Sequence, residues 1–393
     1  MNPEIQGEPD FSAGLYIHIP FCLRKCSYCN FFSITDITLQ NEFINALLGE
    51  MLLAGNSELV FNTIYLGGGT PSLLEPAQTA KIISAAYKRF NISIAAEITM
   101  EVNPGTVTLA RLKEFKKAGV NRINIGIQSF QDKNLNFLGR IHSAADAVFG
   151  IQTARDAGFD NIGLDLIYGL PEQSVESWTA DLKKTVKFRP EHLSCYILTY
   201  EKGTPLQQAR KNNSFCPLPE RTVGTLFEIT TCFLKENAYE QYEISNFALD
   251  AKIVGTDRRS RHNQKYWSNI PYIGLGPSAH SYIEPARWWN TSNLKEYIKS
   301  IAENRSPIME KELLTREQQI MESIFLGMRT SEGIDIEKFE QRFGSGFYDQ
   351  FGKTVYYLEK KGYLTAGQYR CALTPKGLLL HDSVTSMIVG NLP

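Results

Sequence analysis

The first half of the chain alternates short apolar runs, rich in β-branched residues, with longer amphipathic segments. The short runs predict six strands, at residues 15–19, 63–66, 97–102, 122–127, 161–167 and 192–198. The segments between them, near residues 38–54, 76–89, 108–118, 143–157 and 174–188, have the spacing of helices. Strands separated by helices are typical of parallel βαβ units. The pattern therefore predicts an α/β fold, a partial (β/α)6 TIM-like barrel.

The second half of the chain has a different pattern. A loop rich in proline and polar residues at 211–219 ends the alternation, and a helix at 220–237 leads into a region dense in aromatic residues. Helices are then predicted at 315–328, 336–343 and 347–361, followed by short strands within 363–373 and a helix at 376–389. That order resembles a winged helix. We expect a barrel domain at 1–215, a small α+β extension at 216–305 and a helical, winged-helix-like cap at 306–393.

Composition and charge narrow the classes of partner. The 393 residues are 43% hydrophobic and 21% charged, with a net charge of −1, so no general affinity for polyanions is expected. Residues 311–393 hold about ten basic and ten acidic side chains, which disfavours a DNA-binding regulator and favours a lid over the barrel. No apolar run approaches the roughly 18 residues of a membrane span, and residues 1–10 lack the features of a signal peptide. We expect a cytoplasmic protein without a nucleic-acid partner.

Three cysteines follow the first predicted strand directly. Cys22, Cys26 and Cys29 form a C-x3-C-x2-C cluster. Three thiolates can bind three irons of a [4Fe–4S] cluster, and without a fourth cysteine nearby one iron stays open to a small molecule. This spacing resembles that of radical SAM proteins, in which the open iron binds the methionine part of S-adenosylmethionine (SAM). The alternative is a zinc site that uses His18 as the fourth ligand.

The other four cysteines are far apart in the sequence: Cys195, Cys216, Cys232 and Cys371. Seven cysteines in 393 residues at these spacings do not form a disulfide framework. We predict that the four distal cysteines are small buried hydrophobic residues.

Polar residues recur where the predicted strands end, which is where barrels of this kind carry their chemistry. The run Gly67-Gly68-Gly69-Thr70-Pro71 follows the second strand, and it allows a ligand to approach the backbone closely, with exposed N–H groups for a carboxylate or carbonyls for an amine. A tight βα turn is the alternative. Glu101 and Asp165 lie within apolar runs, where a carboxylate needs a partner. Ribose hydroxyls or an ammonium group are candidates, and a structural partner such as Arg122 or Arg140 is the alternative.

Two further side chains at this end of the predicted sheet suit the same ligand. Gln128 offers a donor and an acceptor for a ribose. Arg140 has the geometry for a bidentate contact with a carboxylate. A solvated arginine at a helix end is equally consistent with the local sequence.

Several motifs together resemble the anaerobic coproporphyrinogen III oxidase family of radical SAM proteins, over about residues 14–390. They are Tyr16-Ile-His18-Ile-Pro-Phe-Cys22, the runs 67–73, 101–104, 126–130 and 165–171, and the winged-helix-like cap. Within that family, Tyr242-Glu-Ile-Ser-Asn246-Phe-Ala and His262-Asn263-Gln-Lys-Tyr266-Trp267 resemble hallmarks of the HemW heme chaperone subfamily. The resemblance implies that Tyr16 contacts SAM at the open iron and that Tyr28 packs beside the cluster or SAM. It also implies that the rest of the SAM pocket is lined by Gly68, Gly69, Thr70, Glu101, Gln128, Arg140 and Asp165.

One position departs from the pattern of the oxidases. Oxidases of this family have a fourth cysteine two residues after the third, and here that position is Phe31. The resemblance therefore favours a heme chaperone, with a [4Fe–4S] cluster and SAM, that passes heme to hemoprotein acceptors, including transient contact with membrane-bound ones. The alternative function is an oxygen-independent coproporphyrinogen III oxidase, a radical SAM oxidative decarboxylase.

The sequence also offers candidate heme ligands. His262 follows Arg258, Arg259 and Arg261, and an imidazole can bind heme iron while arginines pair with propionates. Aromatic residues that could face a porphyrin follow closely: Trp267, Tyr272, Tyr282, Trp288 and Trp289. The alternative is that His262 and Asn263 hydrogen-bond a loop while the aromatic residues form core. His280 is the second candidate ligand.

Overall fold

The computed structural model describes residues 12–55 and 58–390, so the expectation about residues 1–10 lies outside the described residues. All six predicted barrel strands are confirmed, and most are longer than the sequence indicated. They are β1 (Ala13–Ile19), β2 (Val60–Gly68), β3 (Asn91–Val102), β4 (Arg122–Gln128), β5 (Ile162–Tyr168) and β6 (His192–Ile197). Adjacent strands pair in parallel in chain order, as βαβ units require.

Helices connect these strands and cover one face of the sheet. They are α1 (Gln40–Ala54), α2 (Pro76–Arg89), α3 (Leu109–Lys117), α4 (Asp132–Leu138), α5 (Ala144–Asp156) and α6 (Val175–Lys187). Side-chain caps define where several of them begin. Ser143 accepts a hydrogen bond from the backbone of Asp146, whose side chain accepts in return, and Thr108 and Ser174 cap α3 and α6. The short helix α4, which the sequence pattern did not indicate, ends at Gly139 in the left-handed conformation.

The two faces of the barrel sheet differ in polarity. On β1, Leu15 and Ile17 point toward the helices and are fully buried, whereas Tyr16 and His18 point into the barrel. The same alternation continues on β3, where the core residues Ile98 and Met100 alternate with the inward-facing Thr99 and Glu101. Because side chains alternate along a strand, the apolar outer face builds the core and leaves a polar lining inside the barrel.

The segment after β6 joins the barrel sheet at both of its edges. It begins with α7 (Pro205–Lys211), which lies before the predicted extension at 216–305. The elements that follow are α8 (Glu220–Glu236), β7 (Tyr239–Gln241), β8 (Asn246–Leu249), α9 (Ala251–Val254), α10 (Arg261–Trp267), β9 (Tyr272–Leu275), β10 (His280–Ile283), β11 (Ala286–Asn290), α11 (Leu294–Ala302) and β12 (Ile308–Leu313). Strand β8 pairs antiparallel with β6, and β9 pairs parallel with β1. The result is one twelve-stranded sheet in the order β12-β11-β10-β9-β1-β2-β3-β4-β5-β6-β8-β7. The domain boundaries at 215 and 305 remain predictions, and β12 shows that the sheet continues past the second one.

The last part of the chain has the predicted order of helices and short strands. It comprises α12 (Arg316–Arg329), β13 (Ile334–Asp335), α13 (Ile336–Phe343), α14 (Phe347–Lys360), β14 (Leu364–Ala366), β15 (Arg370–Leu373), α15 (Pro375–Leu379) and α16 (His381–Val389). The three strands form a separate small sheet in the order β13-β15-β14. Within the described ranges, no helix is long and apolar enough to cross a membrane.

A buried carboxylate fastens the extension to the barrel. Glu50 on α1 is 4% exposed and accepts three hydrogen bonds, from the backbone N–H of Gly276 at 2.7 Å, from Asn290 Nδ2 at 2.6 Å and from the Tyr297 hydroxyl at 2.6 Å. Burial raises the pKa of Glu50 to about 6, against the lowering effect of these donors. The group is thus ionised at neutral pH and connects α1 to the turn after β9, to β11 and to α11.

We expect Glu50→Gln to destabilise the protein by about 1.5–3 kcal/mol, because an amide N–H₂ would face a donor in place of a charged acceptor. The measurement is the free energy of unfolding by urea at pH 7.5. Glu42→Gln, at an exposed position of the same helix, is the matched control, with an expected change below about 1 kcal/mol. Equal stability of both variants would contradict the role of Glu50.

Candidate cofactor site at the barrel mouth

The cysteine loop is held between the end of β1 and the end of α4. The backbone N–H of Cys22 donates to the Ile34 carbonyl at 2.9 Å, and the N–H of Ile34 donates to the Pro20 carbonyl at 2.7 Å. On the other side, the backbone N–H and the hydroxyl of Ser27 both donate to the Leu138 carbonyl, at 3.2 and 3.1 Å. These contacts fix both ends of the loop, so its three cysteines stand at the mouth of the barrel.

All three thiols of the loop are free and partly exposed. Thr70 Oγ1 donates to Cys22 Sγ at 3.5 Å, and Arg140 Nη1 donates to Cys26 Sγ at 3.5 Å. Burial raises the pKa of Cys29. In the part of the chain that the structure describes, no three His, Cys, Asp or Glu side chains are grouped to hold a single metal ion. A preformed zinc site is therefore not seen, whereas an iron–sulfur cluster needs each thiolate on a different iron.

His18 acts on the loop as a structural residue. It is 3% exposed, with Nε2 2.8 Å from the Phe32 carbonyl and Nδ1 3.1 Å from the Tyr16 hydroxyl. Burial lowers its pKa to about 4, so the ring is neutral. Because a carbonyl only accepts, Nε2 carries the proton and Nδ1 accepts from Tyr16. Both nitrogens are used, which argues against His18 as a zinc ligand and shows how it orients Tyr16.

The glycine turn after β2 is packed tightly against the end of β1. The N–H of Gly69 donates to the Ile19 carbonyl and that of Thr70 to the Phe21 carbonyl, both at 2.8 Å. Gly68 has a φ of 107°, and a Cβ there would lie 2.5 Å from the His18 ring. Its N–H donates to Glu101 Oε2 at 3.1 Å. The expectation of exposed N–H groups was therefore wrong for Gly68, Gly69 and Thr70, and the alternative that carbonyls of the turn receive an amine stays a prediction.

Both carboxylate oxygens of Glu101 accept hydrogen bonds from the protein. Its Oε1 accepts a hydrogen bond from the Tyr65 hydroxyl at 2.9 Å, in addition to the bond from Gly68. A Cβ at Gly67 would lie 2.9–3.2 Å from atoms of Tyr65, Tyr16 and Glu101, so this glycine gives the three side chains room to converge. Burial, together with the charge of Asp165, raises the pKa of Glu101 to about 7. An ammonium group beside Glu101 would favour its ionised form.

Asp165 presents an unused acceptor. Its Oδ2 accepts a hydrogen bond from Asn124 Nδ2 at 2.6 Å, while Oδ1 is buried and has no hydrogen-bond partner within residues 12–55 and 58–390. Burial raises the pKa of Asp165. A buried acceptor without a partner is unfavourable, and a ligand hydroxyl would satisfy it. This atom therefore fits the ribose contact that the resemblance implies.

Gln128 and Arg140 come together at the end of β4. Gln128 has a φ of 62°, which for a non-glycine residue marks a strained turn, and its Nε2 would lie 2.9 Å from a Cβ at Gly126. Arg140 Nη2 donates to the Gly126 carbonyl at 2.8 Å, and its Nε is buried without a protein partner. Tyr28 contacts Arg140, and burial raises the pKa of its hydroxyl. The Gly126 carbonyl therefore fixes the Arg140 side chain, and its Nε has no hydrogen-bond partner among the described residues. Arg140 is not a solvated arginine at a helix end.

Arg122 lies deeper inside the barrel, at 1% exposure. Its Nε and Nη1 are buried and have no hydrogen-bond partner in the part of the chain that the structure describes. Neither Glu101 nor Asp165 forms an ion pair with Arg122 within the described residues, although its charge lowers the pKa of both. The charge of Arg122 therefore favours the ionised forms of Glu101 and Asp165 without a direct ion pair to either.

His262 does not have the surroundings of an exposed heme ligand. It is 1% exposed, with Nδ1 2.7 Å from Thr63 Oγ1 and Nε2 2.9 Å from the Tyr266 hydroxyl. Burial lowers its pKa to about 3, and its ring stacks on Tyr65 with centroids 5.1 Å apart. Since both nitrogens are used inside the barrel, the geometry supports the alternative that the motif is structural. The expectation of His262 as the iron ligand is corrected accordingly.

Two of the neighbours of His262, Arg259 and the Trp267 ring, contact other residues of the protein. Arg259 pairs with Asp257 at 2.7 Å and with Glu332 at 3.2 Å, and the guanidinium of Arg329 lies 4.5 Å from the centroid of the Trp267 ring. In the companion motif, the Tyr242 hydroxyl lies 2.7 Å from His192 Nε2. Both motifs therefore close the interior of the barrel away from its mouth.

Two contributors to the site were missed in the sequence: Tyr65 orients Glu101, and Asn124 orients Asp165. Gly67, which belongs to the glycine run that the sequence did indicate, makes room for Tyr65 and Glu101. A signal was present, because polar residues at alternate positions of an apolar strand point to its other face. Of the distal cysteines, Cys195 and Cys371 are buried as predicted, but the prediction was wrong for Cys216 and Cys232, which are exposed.

The fold and the cysteine loop match a known class of protein. Residues 16–184 match the model of the radical SAM superfamily, and residues 314–380 match that of the HemN C-terminal domain. The solved structure of coproporphyrinogen III oxidase (HemN) from Escherichia coli, a radical SAM enzyme, is 25% identical and has a TM-score of 0.83. The similarity covers 98% of this chain and 92% of that one. This similarity confirms the predicted α/β radical SAM barrel.

Curated relatives narrow the class further. Heme chaperone HemW of Bacillus subtilis (strain 168) is 34% identical over 382 residues, covering 96% of this chain and 99% of the relative. Heme chaperone HemW of Lactococcus lactis subsp. lactis (strain IL1403) is 32% identical over 94% of this chain and 95% of the relative. The mitochondrial radical S-adenosyl methionine domain-containing protein 1 of Danio rerio is 32% identical, over 96% and 87%. The chain belongs to the HemW family of the radical SAM superfamily, and this membership implies a [4Fe–4S] cluster and SAM.

We expect single replacement of Cys22, Cys26 or Cys29 by serine to abolish the visible absorbance of a reconstituted [4Fe–4S] cluster, because each thiolate is a ligand of one iron. The measurement is the absorbance spectrum with iron and sulfide content. Cys216→Ser and Cys232→Ser, at exposed positions, are the matched controls and should retain the cluster. Loss of the cluster in either control would reveal a fourth protein ligand and contradict the open iron.

Proposed function

We propose that this protein is a heme chaperone, which binds heme and transfers it to hemoprotein acceptors, with a [4Fe–4S] cluster and SAM at the barrel mouth. The observation that carries the proposal is the near-full-length similarity to relatives named heme chaperone HemW. The proposal includes a cytoplasmic location and transient contact with membrane-bound acceptors. The charge balance of the cap supports an acceptor that is a protein and not a nucleic acid.

The residues at the barrel mouth suit the two proposed cofactors. Cys22, Cys26 and Cys29 would bind three irons, and the fourth iron would accept the methionine part of SAM. Glu101 and the carbonyls of the glycine turn would receive the SAM ammonium, because their N–H groups are already engaged.

The remaining parts of SAM have fitting partners as well. Asp165 Oδ1, with Gln128 beside it, would bind the ribose, and the unpaired Arg140 Nε would bind the carboxylate. Tyr16 and Tyr28 would border the pocket on the side of the thiols. A cluster of this class, when bound, supplies electrons to SAM.

We expect SAM affinity to rise between pH 6 and pH 8, since the pKa of Glu101 is raised to about 7 and only the ionised carboxylate pairs with an ammonium group. Below this range the carboxyl is protonated and the ion pair is lost. Calorimetric titration of the cluster-loaded protein with SAM at several pH values measures this. Glu101→Gln should remove the pH dependence and weaken binding by roughly ten- to hundredfold at pH 8, the value of a charge-assisted hydrogen bond.

Asp165→Asn tests the ribose contact separately. It should weaken SAM binding by a similar factor but keep the pH dependence that comes from Glu101. Glu75→Gln, an exposed carboxylate paired with Arg111 outside the site, is the control and should change nothing. Unchanged affinity in both site variants would show that these carboxylates serve only the scaffold.

The oxidase is the second candidate function, because a solved structure with a TM-score of 0.83 to this fold is itself such an enzyme. Phe31 argues against it. This ring occupies the position of the fourth cysteine and is 61% exposed beside the loop. An apolar ring there replaces a thiol that, by family resemblance, accompanies a second SAM. The two functions differ in whether the porphyrin is changed or only carried.

We expect the purified protein to bind about one heme per chain and to leave coproporphyrinogen III unchanged. The measurement combines heme titration, followed by the Soret band, with anaerobic incubation with SAM, reductant and coproporphyrinogen III, followed by product chromatography. Phe31→Cys is the informative variant, since it restores the oxidase pattern at this position. Robust formation of protoporphyrinogen IX by the unaltered protein would exclude the chaperone as the main function.

A further inference from the structure

The chain has six histidines, and their surroundings divide them into two groups. Five are buried and have at least one ring nitrogen within hydrogen-bond distance of a protein atom: His18, His142, His192, His262 and His381. His280 alone is exposed, and neither of its ring nitrogens has a hydrogen-bond partner within residues 12–55 and 58–390. A histidine must have a free nitrogen to bind heme iron, so this residue meets the first requirement.

His280 lies on the concave face of the sheet, the face that lines the barrel. The rings of Tyr272 and Tyr282 lie 6.2 Å apart on neighbouring strands, and Tyr272 also packs on Tyr266, which bonds His262 inside the barrel. His280 is two residues before Tyr282 on β10 and therefore shares its face. The Trp289 side chain on β11 stacks on the His280 ring, with centroids 5.4 Å apart and planes at 24°.

The strand between His280 and the candidate cluster site carries little side-chain volume. Strand β9 pairs with both β1 and β10, and its Gly274 is the register partner of Tyr16. Gly276, at the end of β9, would place a Cβ 2.5 Å from the His18 carbonyl. The concave face therefore continues from Tyr16 to His280 across two glycines, which let the backbone of β9 pack closely against its neighbours.

The cap covers only one end of this face. Arg342 Nη2 lies 3.4 Å from the Tyr282 hydroxyl, and Arg287 pairs with Glu322 of α12. These contacts bury the part of β10 and β11 next to the cap. The other end, with His280 exposed and Trp289 half-buried, is open.

We propose that His280 is the axial ligand of the heme, with the porphyrin on the concave face beside the cluster loop and Trp289 holding the imidazole in place. This inference rests on the proposed heme-chaperone function and names its ligand. Partial burial lowers the pKa of His280, so the ring is neutral at pH 7 and free to bind iron. Arg24 and Lys25 are exposed in the cluster loop and offer positive charge to the propionates.

The test is anaerobic titration of the cluster-loaded protein with hemin, for the unaltered chain and for His280→Gln and His262→Gln. We expect His280→Gln to shift the Soret band and to weaken binding by roughly tenfold or more, as expected when a metal site loses a ligand. Added free imidazole should restore the Soret position in that variant. His262→Gln is the matched control and should keep the spectrum, with circular dichroism used to verify folding of each variant.

The outcomes separate the inference from the function on which it rests. If the unaltered protein binds no heme, both fail. If it binds heme and His280→Gln retains the full Soret band, the function stands and the ligand assignment is overturned. Trp289→Leu keeps the imidazole, and we expect it to weaken heme binding less than His280→Gln does. A larger effect of Trp289→Leu than of His280→Gln would also overturn the assignment.

Discussion

The close contact between the end of β1 and the glycine turn after β2 sets the geometry of the whole barrel mouth. The N–H groups of Gly69 and Thr70 donate to the carbonyls of Ile19, the last residue of β1, and of Phe21. The His18 ring lies where a side chain at Gly68 would be. Because Cys22 directly follows Phe21, whose carbonyl accepts the bond from Thr70, this contact also fixes the start of the cysteine loop. It also directs the Gly68 N–H to Glu101, so thiols and carboxylate are placed by one packing arrangement.

Charge inside the barrel is the second constraint. Glu101 and Asp165 are half-buried inside the barrel, and burial raises the pKa of both, while the charge of Asp165 adds to the rise at Glu101. Arg122 lowers the pKa of both carboxyl groups from deeper in the barrel. Asp165 Oδ1 is buried with no hydrogen-bond partner among the described residues, and a ligand hydroxyl would satisfy this acceptor. The two carboxylates would suit the ammonium group and the ribose of the proposed SAM ligand.

The extension adds a second surface to the same sheet. Glu50 on α1 accepts hydrogen bonds from the turn after β9 and from the end of β11. These bonds hold the β9–β11 strands in register with β1. Because of this continuity, His280 lies on the face that also carries Tyr16. A heme bound at His280 would be next to the cluster loop, and the chaperone and cofactor sites would then act as neighbours on one scaffold.

The sequence by itself determined the six barrel strands, most of the helices between them, the three loop cysteines and the positions of Glu101 and Gln128 near strand ends, because these follow from local periodicity and spacing. Asp165, also expected at a strand end, lies in the middle of β5. The sequence did not determine that β9 adds to β1, since pairing between strands some 250 residues apart depends on contacts that no local pattern contains. For the same reason it ranked His262 above His280. Only the tertiary structure decided which imidazole is buried with both nitrogens bonded and which faces solvent, because burial is set by neighbours that are distant in the sequence.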